Sequence, residues 1–574
     1  NYKHLETSFG VTSVLKLGEI TGTRIVCKVD NITSWIDPGN WIGGVPIATS
    51  DVDIPDAATT ANDPTLPAST TINSFSIAVG GIVNGGTGTA FTIAGNAGWR
   101  NNGTFNAGTS TIIFSGTAAT IGGTTDFYNI TTDVGSLLST LSGNVMRVTG
   151  TLTNNGELDA KTITNNTIEY SGGNQTVINP DGGTGGYCNL ILSGSGIKTM
   201  PATPMDLCGS FTMSGTTSAT ANATISMAGS FTIGAGASFD AGAFTHYING
   251  NFSNSGTFTA STSDITFTKS SGSAQTISAS SGAEVFYNLT INNTPGVTLS
   301  AGTNVTSTNI LTLTNGIVTT SATDYIIHSN TTATNLIFTN GFVNGNLRRN
   351  IASNTSVYDF PVGNGTASAN RHRSAFVNNS LTGTSYLDVS VQNFTQATPN
   401  DDAALITTQF ENNITATSGE ASGQTIIWTI SPNTSPTGGS YGVQLYVENT
   451  NLSAADDNTF CPLKRDNSST TYTDFLTYDG TTTIPASNAA GRIYNAASGY
   501  AERIGYTSFS RFVIGKSPVA LPVELLNFNA KPNGKMVDVT WSTASEWNND
   551  YFEIQSKDGM MEEWNVVCTV KGAG

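Results

Sequence analysis

Apolar and polar residues alternate in short runs along most of the chain, as in TIIF at 111–114, TIEY at 167–170 and DITF at 264–267. Alternation with a period of two sends one set of side chains inward and the next outward, the signature of a half-buried strand. Clusters of Gly, Asn and Ser close each run and supply the turns. The pattern predicts an all-β protein of many short strands.

The runs also recur. Three segments, 101–130, 154–190 and 254–291, share one order: an Asn/Gly turn, a short alternating strand, a second strand ending in an aromatic, a Gly/Ser turn, then FYNI, YCNL or FYNLTI. A shorter period lies between the second and third copies, where GSFT begins at Gly209 and Gly229 and GNFS begins at Gly250, in steps of 20 and 21 residues. Such a period suits one coil of a parallel β-helix, whose coils cannot bury an apolar face alone and stack on their neighbours. Phe211, Phe231 and Phe252 then occupy equivalent positions and predict a stacked ladder. A sandwich of similar hairpins is the alternative reading. Coils rising by the ~4.8 Å strand spacing would make roughly 65–345 a rod on the order of 50–60 Å long.

Composition agrees with strands. Charged residues are only 11% of the 574 residues while hydrophobic ones reach 37%. Disordered chains pair low hydrophobicity with high charge, so the deficit of charge does not mean disorder here. The 574 residues exceed a single core and predict several domains. The net charge of -17 argues against a nucleic-acid partner, which needs concentrated positive charge, and serves solubility instead. No apolar run approaches the ~20 residues that span a bilayer, so membrane insertion is not expected. Cys27, Cys188, Cys208, Cys461 and Cys568 are too scattered for a disulfide framework or a zinc site. Cys188 and Cys208 stand apart. One coil separates them, which leaves a disulfide and a plain ladder of buried thiols as equal readings.

Near residue 345 the pattern changes, with GFVNGNLRRN at 341–350 and YDFPVGNGT at 358–366 introducing Pro, paired Arg and longer strands. The expected organisation is an N-terminal cap at 1–64, a right-handed parallel β-helix (solenoid) at 65–345, a β-sandwich at 346–518 and a further β segment at 519–574.

At several of these places the chain resembles the large surface proteins that Bacteroidetes bacteria export by the type IX secretion system. SWIDPGNWIGGVPIATSDVDIP at 34–55 is similar to the opening motif of such domains, and the QTI…FYNLTI coils, the FVNGNLRR…FPVG junction and TSFSRFVIG also match the class. The most specific stretch is LPVELLNF…VTWSTASEWNNDYFEI, which in that family starts a fibronectin-III-like domain ahead of a sorting domain. The resemblance implies an extracellular or cell-surface location and export by the type IX machinery. It also makes 519–574 a partial fibronectin-III-like domain of strands A to C′, with Trp541 in strand B. Half a sandwich exposes strand edges and an apolar face. Three explanations stay open: a longer chain, proteolytic maturation, or completion by strands of a neighbouring molecule through β-strand addition. On the last reading Leu521, Pro522, Val523, Trp541, Phe552 and Trp564 form an assembly segment.

Chemistry is sparse. Carboxylates in the coil region are thinly spread, and Asp240 and Asp264, about one coil apart, read as turn residues. Arg348, Arg349, Arg371 and Arg373 make the densest basic patch, suited either to an anionic sugar or to holding a domain junction. The loop NPDGG and the pair Asp401-Asp402 have the oxygen chemistry for calcium, but a lone acidic pair specifies no site, and no cofactor is expected. No nucleophile elbow or phosphate-cradling loop occurs. The expected function is structural and adhesive, a non-enzymatic surface protein that self-associates, as the subunit of a filament on the sharper reading, or that contacts polysaccharide or other surface proteins. The rival is a carbohydrate-active or carbohydrate-binding β-helix protein.

Overall fold

The computed structural model describes residues 24–27, 34–56, 63–180, 186–365, 367, 370–394, 425–446, 460–465, 500–516, 524–545, 550–557 and 564–572. It is nearly all β, a parallel β-solenoid of about 14 turns followed by antiparallel sheets. The chain divides into two compact units, Asn1–Thr308 and Asn309–Gly574.

In the first unit most coils contribute three short strands. One coil runs Phe211–Met213, Thr216–Thr220 and Ile225–Met227, and the next runs Phe231–Ile233, Ser238–Asp240 and Thr245–Ile248. Each strand pairs in parallel with its counterpart one coil on. The repeat spacing sets the register: Phe211 lies opposite Phe231, and Phe231 opposite Phe252. The expected ladder is present, continued on one side by Leu190 and on the other by Ile277.

The glycines of the repeated GSFT and GNFS segments have a steric cause. Gly229 N–H donates to Gly209 O at 2.7 Å and Gly250 N–H to Gly229 O at 2.9 Å, so the coil corners stack backbone on backbone. A Cβ at Gly250 would overlap the Gly229 backbone. The Gln of the two NQTV and AQTI segments also repeats its role. Buried Gln175 donates from Nε2 to Val148 O and Gly150 O, and Gln275 does the same to Ile248 O and Gly250 O. These amides satisfy carbonyls that would otherwise be buried without partners.

Parallel pairing starts earlier than the expected 65. Arg24–Cys27 pairs in parallel with Asp51–Ile54, which pairs with Ser74–Ile77. Over this end of the core, Trp35 packs against Trp41 at 4.7 Å and Phe91 at 5.4 Å, and Trp41 Nε1 donates to Trp35 O at 2.7 Å.

In the second unit the strand Asn346–Asn350 has different neighbours on its two edges. It pairs in parallel with Tyr325–His328 and antiparallel with Tyr386–Phe394. Solenoid pairing thus becomes sandwich pairing at a single strand. Tyr386–Phe394, Thr425–Pro432, Ser510–Lys516 and Phe460–Arg465 continue that sheet. A second antiparallel sheet joins Val357–Phe360, Ser374–Thr382, Gly438–Tyr446 and Tyr500–Tyr506. The two sheets meet through Tyr506 and Phe512, with ring centroids 5.3 Å apart, and through the Trp428 indole N–H donating to His372 O at 2.9 Å. Two separate antiparallel hairpins follow, Glu524–Asn533 with Met536–Ser545 and Tyr551–Ser556 with Asn565–Lys571.

Candidate functional site

The arginines of the junction do not form an open cationic patch, because the fold engages each of them. Consecutive residues on a strand face opposite ways, so Arg348 and Arg349 part company. Arg348 points to the Asp388 carboxylate on the neighbouring strand in a two-pronged contact of 2.7 and 2.8 Å. Its guanidinium also lies over the Tyr386 and Tyr325 rings, 4.0 and 4.6 Å from their centroids. The Asp388 hydrogen bond holds the Arg348 pKa above its ordinary value.

Arg349 is completely buried. It donates to Asp359 O at 2.8 Å and to Ala333 O, over the Tyr358 ring. Burial lowers its pKa to about 10. The cost of placing a cation inside is met by carbonyl dipoles and by the nearby Asp359 carboxylate, whose own pKa burial raises. His328, in register with Arg349, is fully buried with neither ring nitrogen hydrogen-bonded; burial, aided by the Arg349 charge, pushes its pKa down to about 3. Arg371 donates to Thr339 O at 2.7 Å, and Arg373 lies over Tyr446, 3.4 Å from the ring centroid, with Asp359 at 3.9 Å. These contacts tie strands of the junction together, which accounts for the density of arginine without an anionic ligand.

Cys188 and Cys208 are joined in a disulfide with Cα atoms 4.5 Å apart, one coil on from each other.

Asp240 and Asp264 do not share a face. Asp240 lies in a strand paired with Thr257–Thr259, while Asp264 pairs beside Thr245 and Asn288 in another sheet. Asp240 accepts the Gly242 N–H at 2.9 Å, as a turn residue does. Spacing did not bring out a different cluster. Asp126, Arg147 and Glu169 lie in register on three successive coils, with Arg147 bonded to Asp126 at 2.5 Å and Glu169 at 2.7 Å. Their separations of 21 and 22 residues are the coil period itself, so the signal was in the sequence. Each carboxylate is occupied by the arginine between them. Among the described residues no group of three His, Cys, Asp or Glu side chains is placed to hold a metal ion.

The last two hairpins differ from everything before them. Leu525, Leu526, Phe528, Val537, Trp564, Val566 and Val567 are all more than half exposed. Trp541 and Phe552 reach across from one hairpin to the other, with ring centroids 5.4 Å apart. Leu521, Pro522 and Val523, from the expected assembly segment, lie outside the described residues, as do Asp401 and Asp402. No family model matches the chain, and neither the curated proteins nor the solved structures contain a match. No helix among the described residues is long and apolar enough to cross a membrane.

Proposed function

We propose that the chain is an extracellular structural and adhesive protein of a bacterial cell surface, exported by the type IX route, that associates with other copies of itself. The observation that carries self-association is the apolar surface of the two hairpins at 524–571, while location and export route rest on the sequence resemblance alone. Contiguous exposed apolar side chains on open strands mark an interaction site. Added strands would satisfy both the free backbone edges and the apolar face, as in other β-strand addition complexes. The solenoid supports the same reading, because stacked coils present repeated uncharged side chains suited to weak, multivalent contact. The sharper form of the proposal is a filament in which the hairpins at 524–571 of one molecule pair with strands of the next.

Sedimentation of the full chain over a range of concentrations tests it. Concentration-dependent oligomers are expected, reduced by the paired substitution Leu526→Lys and Phe528→Lys, with fibres or strings seen by electron microscopy. A monodisperse monomer at every concentration, unchanged by the substitutions, overturns self-association.

A further inference from the structure

On the solenoid sheet containing Thr245–Ile248, Asp264–Lys269 and Ala283–Asn293, a concavity of about 310 Å³ is lined by Asn249, Thr268, Lys269, Ser270, Asn292 and Thr294. Every lining side chain ends in an amide, a hydroxyl or an ammonium. The parallel register sets Tyr247 opposite Thr266, Thr266 opposite Thr290, and Thr268 opposite Asn292. Residues two apart on one strand share a face about 7 Å apart. The Tyr247 ring therefore stands on the same face as Thr268 and Asn292, which line the concavity. It is 41% exposed, so ring surface is available to a ligand. Lys269 forms no ion pair in the described residues. The nearest carboxylate on its own strand, Asp264, accepts hydrogen bonds from Thr245 and Asn288 instead.

We propose that this face binds an acidic glycan, a polysaccharide carrying uronate carboxylates. The inference deepens the adhesive part of the proposed function and rests on it. A phenol ring offers an apolar platform for the C–H face of a pyranose. The Asn249 amide donates and accepts, which matches sugar hydroxyls. Lys269 supplies a charge-assisted bond to a carboxylate. Other occupants fit less well. An extended peptide needs a free strand edge, and these strands are paired within the sheet. A nucleic acid needs several clustered cations, and the groove has one in a chain of net charge -17.

Calorimetric titration of the full chain with a hexamer of galacturonate, and in parallel with cellohexaose, decides the matter. The uronate hexamer is expected to bind and the neutral one to bind at least about tenfold more weakly. Lys269→Gln and Tyr247→Ala are each expected to weaken uronate binding by about tenfold, while Lys269→Arg stays within about threefold. Both positions are on the surface, and an unchanged circular dichroism spectrum verifies the fold of each variant. No uronate binding at millimolar ligand, equal binding of the neutral hexamer, or indifference to both Lys269→Gln and Tyr247→Ala overturns the proposal. Sedimentation of the same samples reads self-association separately, so loss of glycan binding is distinguishable from failure of the assembly reading.

Discussion

Phe211 and Phe231 stack with ring centroids 5.1 Å apart and planes 3° from parallel, one coil above the other. Phe231 also meets Phe252 edge-on at 5.6 Å and Phe239 at 5.1 Å, so one ring links three coils. Phe231→Ala would remove a fully enclosed aromatic and leave a cavity, at a cost of about 3–5 kcal/mol. In a solenoid each coil contacts only its neighbours. Protection from hydrogen exchange should therefore fall around residues 205–255 and stay near wild type in the sandwich strands. A uniform loss across the chain would contradict nearest-neighbour stacking.

Cys188 and Cys208 close a loop of one coil. Restricting the unfolded chain over that length contributes about 3 kcal/mol. The double substitution Cys188→Ala with Cys208→Ala should lower the melting temperature, and adding reductant should lower wild type to the same value while leaving the variant unmoved. Equal sensitivity of both proteins to reductant would rule out this disulfide as the staple.

Glu284 is buried and accepts a hydrogen bond from Asn254 Nδ2 at 2.8 Å, and burial raises its pKa to about 7 from the ordinary 4.5. The folded state thus favours the protonated acid. Its contribution is fully present below pH 4.5 and is lost as the pH rises to about 7, a change on the order of 3 kcal/mol. Glu284→Gln keeps an acceptor for Asn254 and carries no charge. Thermal melts at pH 5 and pH 8 should show the variant gaining on wild type at the higher pH. Parallel pH profiles for the two proteins would refute a buried titrating carboxyl.

Arg348 and Asp388 face each other across an antiparallel strand pair, both less than a third exposed. A two-pronged contact partly shielded from water contributes on the order of 1–2 kcal/mol. A double-mutant cycle of Arg348→Ala and Asp388→Ala should return a coupling of that size. Arg349→Ala should cost more than Arg348→Ala, since Arg349 is fully buried and its removal leaves a cavity as well as taking a donor from Asp359 O and Ala333 O. Additive single and double changes at Arg348 and Asp388 would show that the pair carries no coupling.

Much of the solenoid is legible in the sequence. The step from Phe211 to Phe231 to Phe252, the glycines ahead of each, and the spacing of Cys188 and Cys208 all express one geometric repeat, which the chain must meet at every coil. The Asp126–Arg147–Glu169 ladder obeys the same period but was hidden, because its three members belong to different local motifs. The arginine cluster was legible only as far as two alternatives, an anionic ligand or a domain junction, and its contacts agree with the second. A run of basic residues reads as a patch, whereas strand alternation sends Arg348 to Asp388 and Arg349 into the interior.

The sequence alone determined the class of structure: period-two alternation requires strands, and a fixed repeat of small turns and apolar positions requires coils that stack. Only the tertiary structure decided what each polar side chain meets. Whether a buried Arg349 finds carbonyls, whether Glu284 is cut off from water, and whether Tyr247 stands beside a polar groove depend on residues brought together from separate strands. Desolvation and hydrogen bonding act over a few ångströms in space, and distance along the chain does not report them.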